Sequence, residues 1–135
     1  MREKLIAHIN QKNWWHVPPL NPTAYQKRGK FYASSFREAE FWGRPLDQPQ
    51  HVCISNPLIG DEDSLETELF GRSVRVPDPE SPNVLEWRWR LDAKMKKAAL
   101  TKGYDAIVLI TPKAFAAYKE CGKIPRSVEL NVLKS

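Results

Sequence analysis

The sequence predicts a single α+β domain over residues 1–135, strands accompanied by short helices. Three observations predict it: apolar residues at helical spacing at the start and again through 86–102, an almost unbroken apolar run at 104–111, and strict alternation at 127–133. A chain of 135 residues is long enough to bury roughly two thirds of the surface its unfolded form exposes. Hydrophobic residues at 41% and charged residues at 27% fit an ordinary globular protein. No apolar run reaches the length of about 18 residues that a membrane span needs. The opening MREKLIAHINQK is too polar for a secretory signal, so a cytoplasmic protein without membrane contact is expected.

Leu5, Ile6 and Ile9 recur at helical spacing and predict a helix at 2–12, after which WWHV reads as a short strand stopped by Pro18 and Pro19. HVPPLNP is then an irregular loop, with His16 at the strand end. KFYAS, opened by Gly29, is aromatic enough for a buried strand. A helix follows with Ser34 or Ser35 as N-cap, Glu38 closing a capping box, and a stop at Gly43; Phe36, Ala39 and Phe41 or Trp42 form its apolar stripe. HVCISNPL reads as a strand ended by Asn56 and Pro57, and SLETELFG as a short acidic helix with Leu65, Leu69 and Phe70 inward. In 86–102 the stripe is Trp87, Leu91, Met95, Ala98 and Ala99, with the lysines outward and Gly103 as stop. YDAIVLIT has the pattern of a central strand buried on both sides, and KAFAAYKECG of a further helix. In SVELNVL, Val128, Leu130 and Val132 share one face, so Glu129 projects from the other. The only candidate linker, VPDPESPN at 76–83, is too short to divide the chain into separate domains.

Cys53 and Cys121 stand far apart without zinc-ligand neighbours and read as reduced thiols; no metal site is expected. There is no P-loop, no G-x-S-x-G elbow and no Rossmann glycine fingerprint. The net charge of +5 is concentrated at 27–30 and 88–97, opposite in sign to the acidic run 60–68. Arg88, Arg90, Lys94 and Lys97 would make a phosphate-contacting surface, with Trp87 and Trp89 for base stacking.

Three segments taken together, WWH with His16, FYASS with Tyr32, Ser34 and Ser35, and SVELNVL with Glu129, resemble the ADP-ribosyltransferase superfamily. The likeness is to its toxin-like and poly-ADP-ribose-polymerase-like branch, which carries a His, Tyr, Glu triad in that order. FWG supplies Trp42 in place of the usual second Tyr, with Phe41 as the other candidate, and LTKGYDAIVL is similar to a helix end, glycine and strand of small members. The resemblance implies a compact α+β fold with a split mixed or antiparallel sheet and flanking short helices, with NAD as the substrate and ADP-ribose passing to a protein or nucleic-acid acceptor, or to water, with release of nicotinamide. It also implies a division of labour. Glu129 would face the oxocarbenium-like ribose, Tyr32 and Trp42 would sandwich the nicotinamide ring, His16 would hold a ribose hydroxyl, and Ser34 or Ser35 would steady the strand edge. Ser127, two residues before Glu129, stands where arginine-modifying members have Glu or Gln, which disfavours arginine as acceptor.

Each residue also has a plainer reading: His16 packed beside Trp14 and Trp15, the aromatics as core, Glu129 on a solvated strand face. The second functional reading is a non-enzymatic basic module that binds nucleic acid or a protein partner.

Overall fold

The run YDAIVLIT does become an inner strand, and its neighbours explain why it can be apolar throughout. The computed structural model describes residues 1–74, 80 and 82–134. Its elements are α1 (Arg2–Gln11), α2 (Ala24–Arg28), β1 (Lys30–Ala33), α3 (Phe36–Glu40), β2 (Pro57–Gly60), α4 (Glu62–Phe70), α5 (Val84–Thr101), β3 (Ala106–Leu109), α6 (Pro112–Cys121) and β4 (Glu129–Val132). The strands form one mixed sheet in the order β1-β4-β3-β2. β2 and β3 run parallel, and β4 is antiparallel to both β3 and β1. This is the α+β architecture that the sequence predicts. No helix among the described residues is long and apolar enough to cross a membrane.

The sheet is covered on both faces. Ala106 and Val108 of β3, Leu130 of β4 and Tyr32 of β1 meet Leu5 and Ile9 of α1, Tyr118 of α6, Trp14 and Ile54 on one side. Ile107 and Leu58 meet Leu65 and Leu69 of α4 and Ala99 of α5 on the other. Period-two alternation in the strands feeds both layers. Helix α1 is fixed at both ends to one segment: Arg2 donates to the Pro57 carbonyl at 2.8 Å, and the Asn10 amide exchanges two hydrogen bonds with the Ile54 backbone at 2.9 and 2.8 Å.

That segment corrects the strand expected at 51–58. The Ser55 and Asn56 N–H groups donate to the Asp105 carboxylate at 2.7 and 2.9 Å instead of joining a ladder. Pairing begins only at Pro57, which lacks an N–H and is tolerated as the first residue of an edge strand. WWHV is likewise not a full strand; Trp14 bridges Gln50 and Trp15 bridges Ala33, one residue pair each. Helix α2 is an addition to the elements that the sequence pattern predicts, and α3 ends at Glu40 rather than at Trp42. The proline-rich stretch at 76–83 falls largely on residues 76–79 and 81, outside those described.

Gly29 joins α2 to β1 at φ +92°, and a Cβ there would overlap the Asn131 amide oxygen. The Asn131 Nδ2 donates to the Arg28 carbonyl at 2.9 Å, so this amide ties β4 to the turn. Gly103 has a similar φ of +91° but open space around it. Gly103→Ala should therefore cost only the left-handed strain, about 1–2 kcal/mol. Gly29→Ala should cost roughly 1–3 kcal/mol more, from the overlap together with a ψ of −173° that at this φ only glycine ordinarily adopts. Urea unfolding of the two variants checks this; equal losses would refute the role given to Asn131.

Candidate functional site

Glu129 opens β4, and its direction is set by the residue after it. Leu130 is fully buried in the α1–α6 layer, so Glu129 and Asn131 project to the α4–α5 face. There Glu129 lines a cleft of about 420 Å³, within the range of small-molecule sites. Its walls are Asp61, Glu62 and Asp63 at the start of α4, Thr111 and Pro112 at the start of α6, and Ser127. Both helices are capped by the residues that sequence pattern favours: Asp61 accepts from the Ser64 N–H at 2.9 Å and Thr111 from the Ala114 N–H at 3.2 Å. The Ser64 hydrogen bonds hold the Asp61 carboxyl below its usual range.

The electrostatics of this face come from α5 as much as from β4. Burial pushes the Glu129 carboxyl up, the Asp92 charge pushes it further, Arg88 pulls it back and Glu62 adds to the rise. Burial also lifts Asp92, from 3.8 to about 6, against the pull of Arg88 and Arg28. Arg88 reaches the Glu62 carboxylate at 3.3 Å, and the Arg28 guanidinium lies 4.8 Å from the Trp89 ring centre. Two carboxylates that both resist ionisation thus share a patch with two guanidiniums, an arrangement concentrated at functional sites. Asp92 is not among the site residues that the sequence pattern suggests, although a signal exists: it stands seven residues before the fully buried Ala99, on the same helical stripe.

The serines after β1 border the same end of β4. Ser34 Oγ donates to the Val128 carbonyl at 3.0 Å and accepts from the Val128 N–H at 2.7 Å. Ser35 is the N-cap of α3, accepting from the Glu38 N–H at 3.2 Å. The expected capping box is half made, because the Glu38 carboxylate accepts from the Ser127 hydroxyl at 2.9 Å.

His16 and Tyr32 lie elsewhere. Tyr32 pairs across from Leu130 and shares its layer, so its ring and the Glu129 carboxylate leave opposite faces of the sheet. The His16 ring is 5.4 Å from the Tyr32 ring and only 3% exposed. Its Nδ1 donates to the Phe31 carbonyl at 2.6 Å and its Nε2 accepts from the Tyr25 hydroxyl at 2.9 Å, which fixes the neutral tautomer. Burial holds its pKa below 6.5 despite the Phe31 bond, and Lys30 adds to the lowering. Convergence of His16, Tyr32 and Glu129 on one cleft is therefore corrected by the β1–β4 register: Glu129 is in the cleft, and the other two brace the opposite layer. Phe41 and Trp42, expected as an apolar stripe, are 82% and 65% exposed and pack edge to face on each other at 5.1 Å. The basic surface expected on α5 is also divided. Arg88 turns to Glu62, Arg90 pairs with Glu86 at 2.8 Å, and Lys94 and Lys97 line a separate groove.

Among the described residues no cluster of three His, Cys, Asp or Glu is placed to hold a metal ion. Comparison with protein-family models, curated proteins and solved structures finds no match.

The Asp92 shift has a sign that can be measured. Between pH 3.8 and about 6 the folded chain retains a proton that the unfolded chain has released, so this carboxyl lowers stability progressively as pH rises through the window. The full effect is on the order of 3 kcal/mol above it. Asp92→Asn should therefore gain on the native protein by about 2–3 kcal/mol between pH 4 and pH 7 in urea unfolding; parallel curves would show that Asp92 is not burdened by its site. For His16 the sign is opposite: its contribution is complete above 6.5 and is lost as pH falls below that value. Titration of the His16 ring by NMR should give a midpoint under 6.5.

Proposed function

We propose that the chain cleaves the nicotinamide–ribose bond of NAD and passes the ADP-ribosyl group to a macromolecular acceptor or to water. The single observation that carries this reading is Glu129, a sheet carboxylate largely withdrawn from solvent yet lining an open cleft. In the reaction the glycosidic C–N bond breaks and nicotinamide leaves with the electron pair. The ribose carbon becomes cationic, and a nucleophile attacks it and loses a proton. A fixed carboxylate beside that carbon stabilises the developing charge more in the transition state than in the ground state. Glu129 takes this role, and its acidic surroundings also suit the cationic nicotinamide ring. Arg88 and Arg28 are cations of the same patch that act on Asp92; Arg88 would exchange its Glu62 partner for the pyrophosphate, and Arg28 would reach it from beside Trp89. Phe41 and Trp42 do not line the cleft itself; exposed one turn beyond Glu38, which accepts from Ser127 of the cleft wall, they offer aromatic faces for stacking at its margin.

Tyr32 and His16 have no substrate contact in this scheme, in departure from the order of the triad. Incubation with NAD should release free nicotinamide, and Glu129→Gln should lower the rate by roughly 10²–10³-fold. Tyr32→Phe should leave the rate near native, because its ring belongs to the other layer. Absence of nicotinamide release from the native chain, together with no rise in melting temperature on adding NAD, overturns the proposal.

A further inference from the structure

Helices α4 and α5 pack against each other and leave an open groove of about 430 Å³ that shares no residue with the Glu129 cleft. Its floor is apolar, formed by Leu69 and Phe70 at the end of α4 and Ala98 of α5, and its rim carries Lys94, Lys97 and Lys102. Lys102 is held by Glu68, through the backbone carbonyl and through the carboxylate at 3.6 Å. Lys94 and Lys97 are exposed and have no carboxylate partner among the described residues, whereas Arg88 and Arg90 on the same helix are both paired. An amphipathic helix ordinarily turns such cations to bulk water; here they border apolar surface.

We propose that this groove docks an acidic segment of a partner protein, with an apolar side chain of that segment on Leu69, Phe70 and Ala98 and its carboxylates on Lys94 and Lys97. Charge complementarity decides the sign of the occupant, and the floor decides its class. A nucleic acid would use the phosphate contacts and could stack one base on Phe70, but Leu69 and Ala98 beside it form an aliphatic surface that suits a side chain better than a base. The tryptophans that would stack bases are not in the groove, and Trp89, though half exposed, carries Arg28 over its ring. A peptide that alternates carboxylates with apolar anchors satisfies both halves, as helix-in-groove partners do.

The probe is a short fluorescein-labelled peptide of aspartate and glutamate carrying two leucines at helical spacing, followed by anisotropy at low and moderate salt. Binding should weaken by roughly tenfold or more in the K94E/K97E double variant, and by a similar factor when the peptide leucines become serine. The same variant should acquire affinity for a lysine–leucine peptide, which a misfolded chain would not do. The milder pair Lys94→Gln and Lys97→Gln repeats the loss if the reversal disturbs folding. Failure of the native chain to bind the probe overturns the proposal. So does binding indifferent to the leucines, or displacement of the peptide by oligothymidine, which would mark a phosphate-binding surface instead. None of these readouts involves NAD, so the groove and the Glu129 cleft stand or fall separately.

Discussion

The fold depends on β4 lying between β1 and β3, because a strand in that position must satisfy two neighbours along its edges and two layers above and below. Leu130 meets one layer without difficulty, being wholly buried among α1, α6 and β3. The other face carries Glu129 and Asn131 against α4 and α5, where an apolar pair would be the simpler solution. The Asn131 amide nitrogen is accounted for by the α2–β1 turn, since it closes on the Arg28 carbonyl; its Oδ1 is buried without a hydrogen-bond partner among the described residues and leaves room only for glycine at position 29. Glu129 has no such structural duty. A carboxylate that burial opposes, next to a second one on α5, raises the energy of the folded chain rather than lowering it. That cost gives the cleft a chemical reading, whereas an exposed carboxylate such as Glu68 does not need one.

What is legible in the sequence is local. The N-cap serine of α3, the glycine stop after α5, the apolar run of β3 and the alternation around Leu130 each follow from the residues themselves, and each is found in place. The opposite facing of Glu129 and Val128 is equally readable. The cleft is not, because it depends on register. Tyr32 and Glu129 sit on adjacent strands, yet the pairing of Tyr32 with Leu130 sends their side chains apart, and a shift of one residue would have brought them together. Pro57 is ambiguous for a related reason. A proline ends a strand or begins one according to where the preceding N–H groups go, and here they go to Asp105, forty-nine and fifty residues away. Asp92 is hard to see because α5 is rich in charge all round, so one inward carboxylate is hidden among outward ones.

The charges of α5 sort by face once the helix is placed. Arg88 and Asp92 join the Glu129 patch, Trp89 and Lys96 turn to α2, and Lys94 and Lys97 border the groove with α4. A single basic run in the sequence therefore serves three environments. The net charge of the protein, a single positive number, describes none of them.

The position of β4 also imposes an order on biosynthesis. β1 and the β2–β3 pair are made first, but they are not neighbours in the sheet; each acquires its shared partner only when the chain has passed Val132. Until then β1 exposes an unpaired edge, and α1 lacks the Leu130 surface that completes its layer. A chain made only as far as residue 128 therefore holds β1 and the β2–β3 pair without the strand that joins them, and presents a strand edge of the kind that chaperones shield.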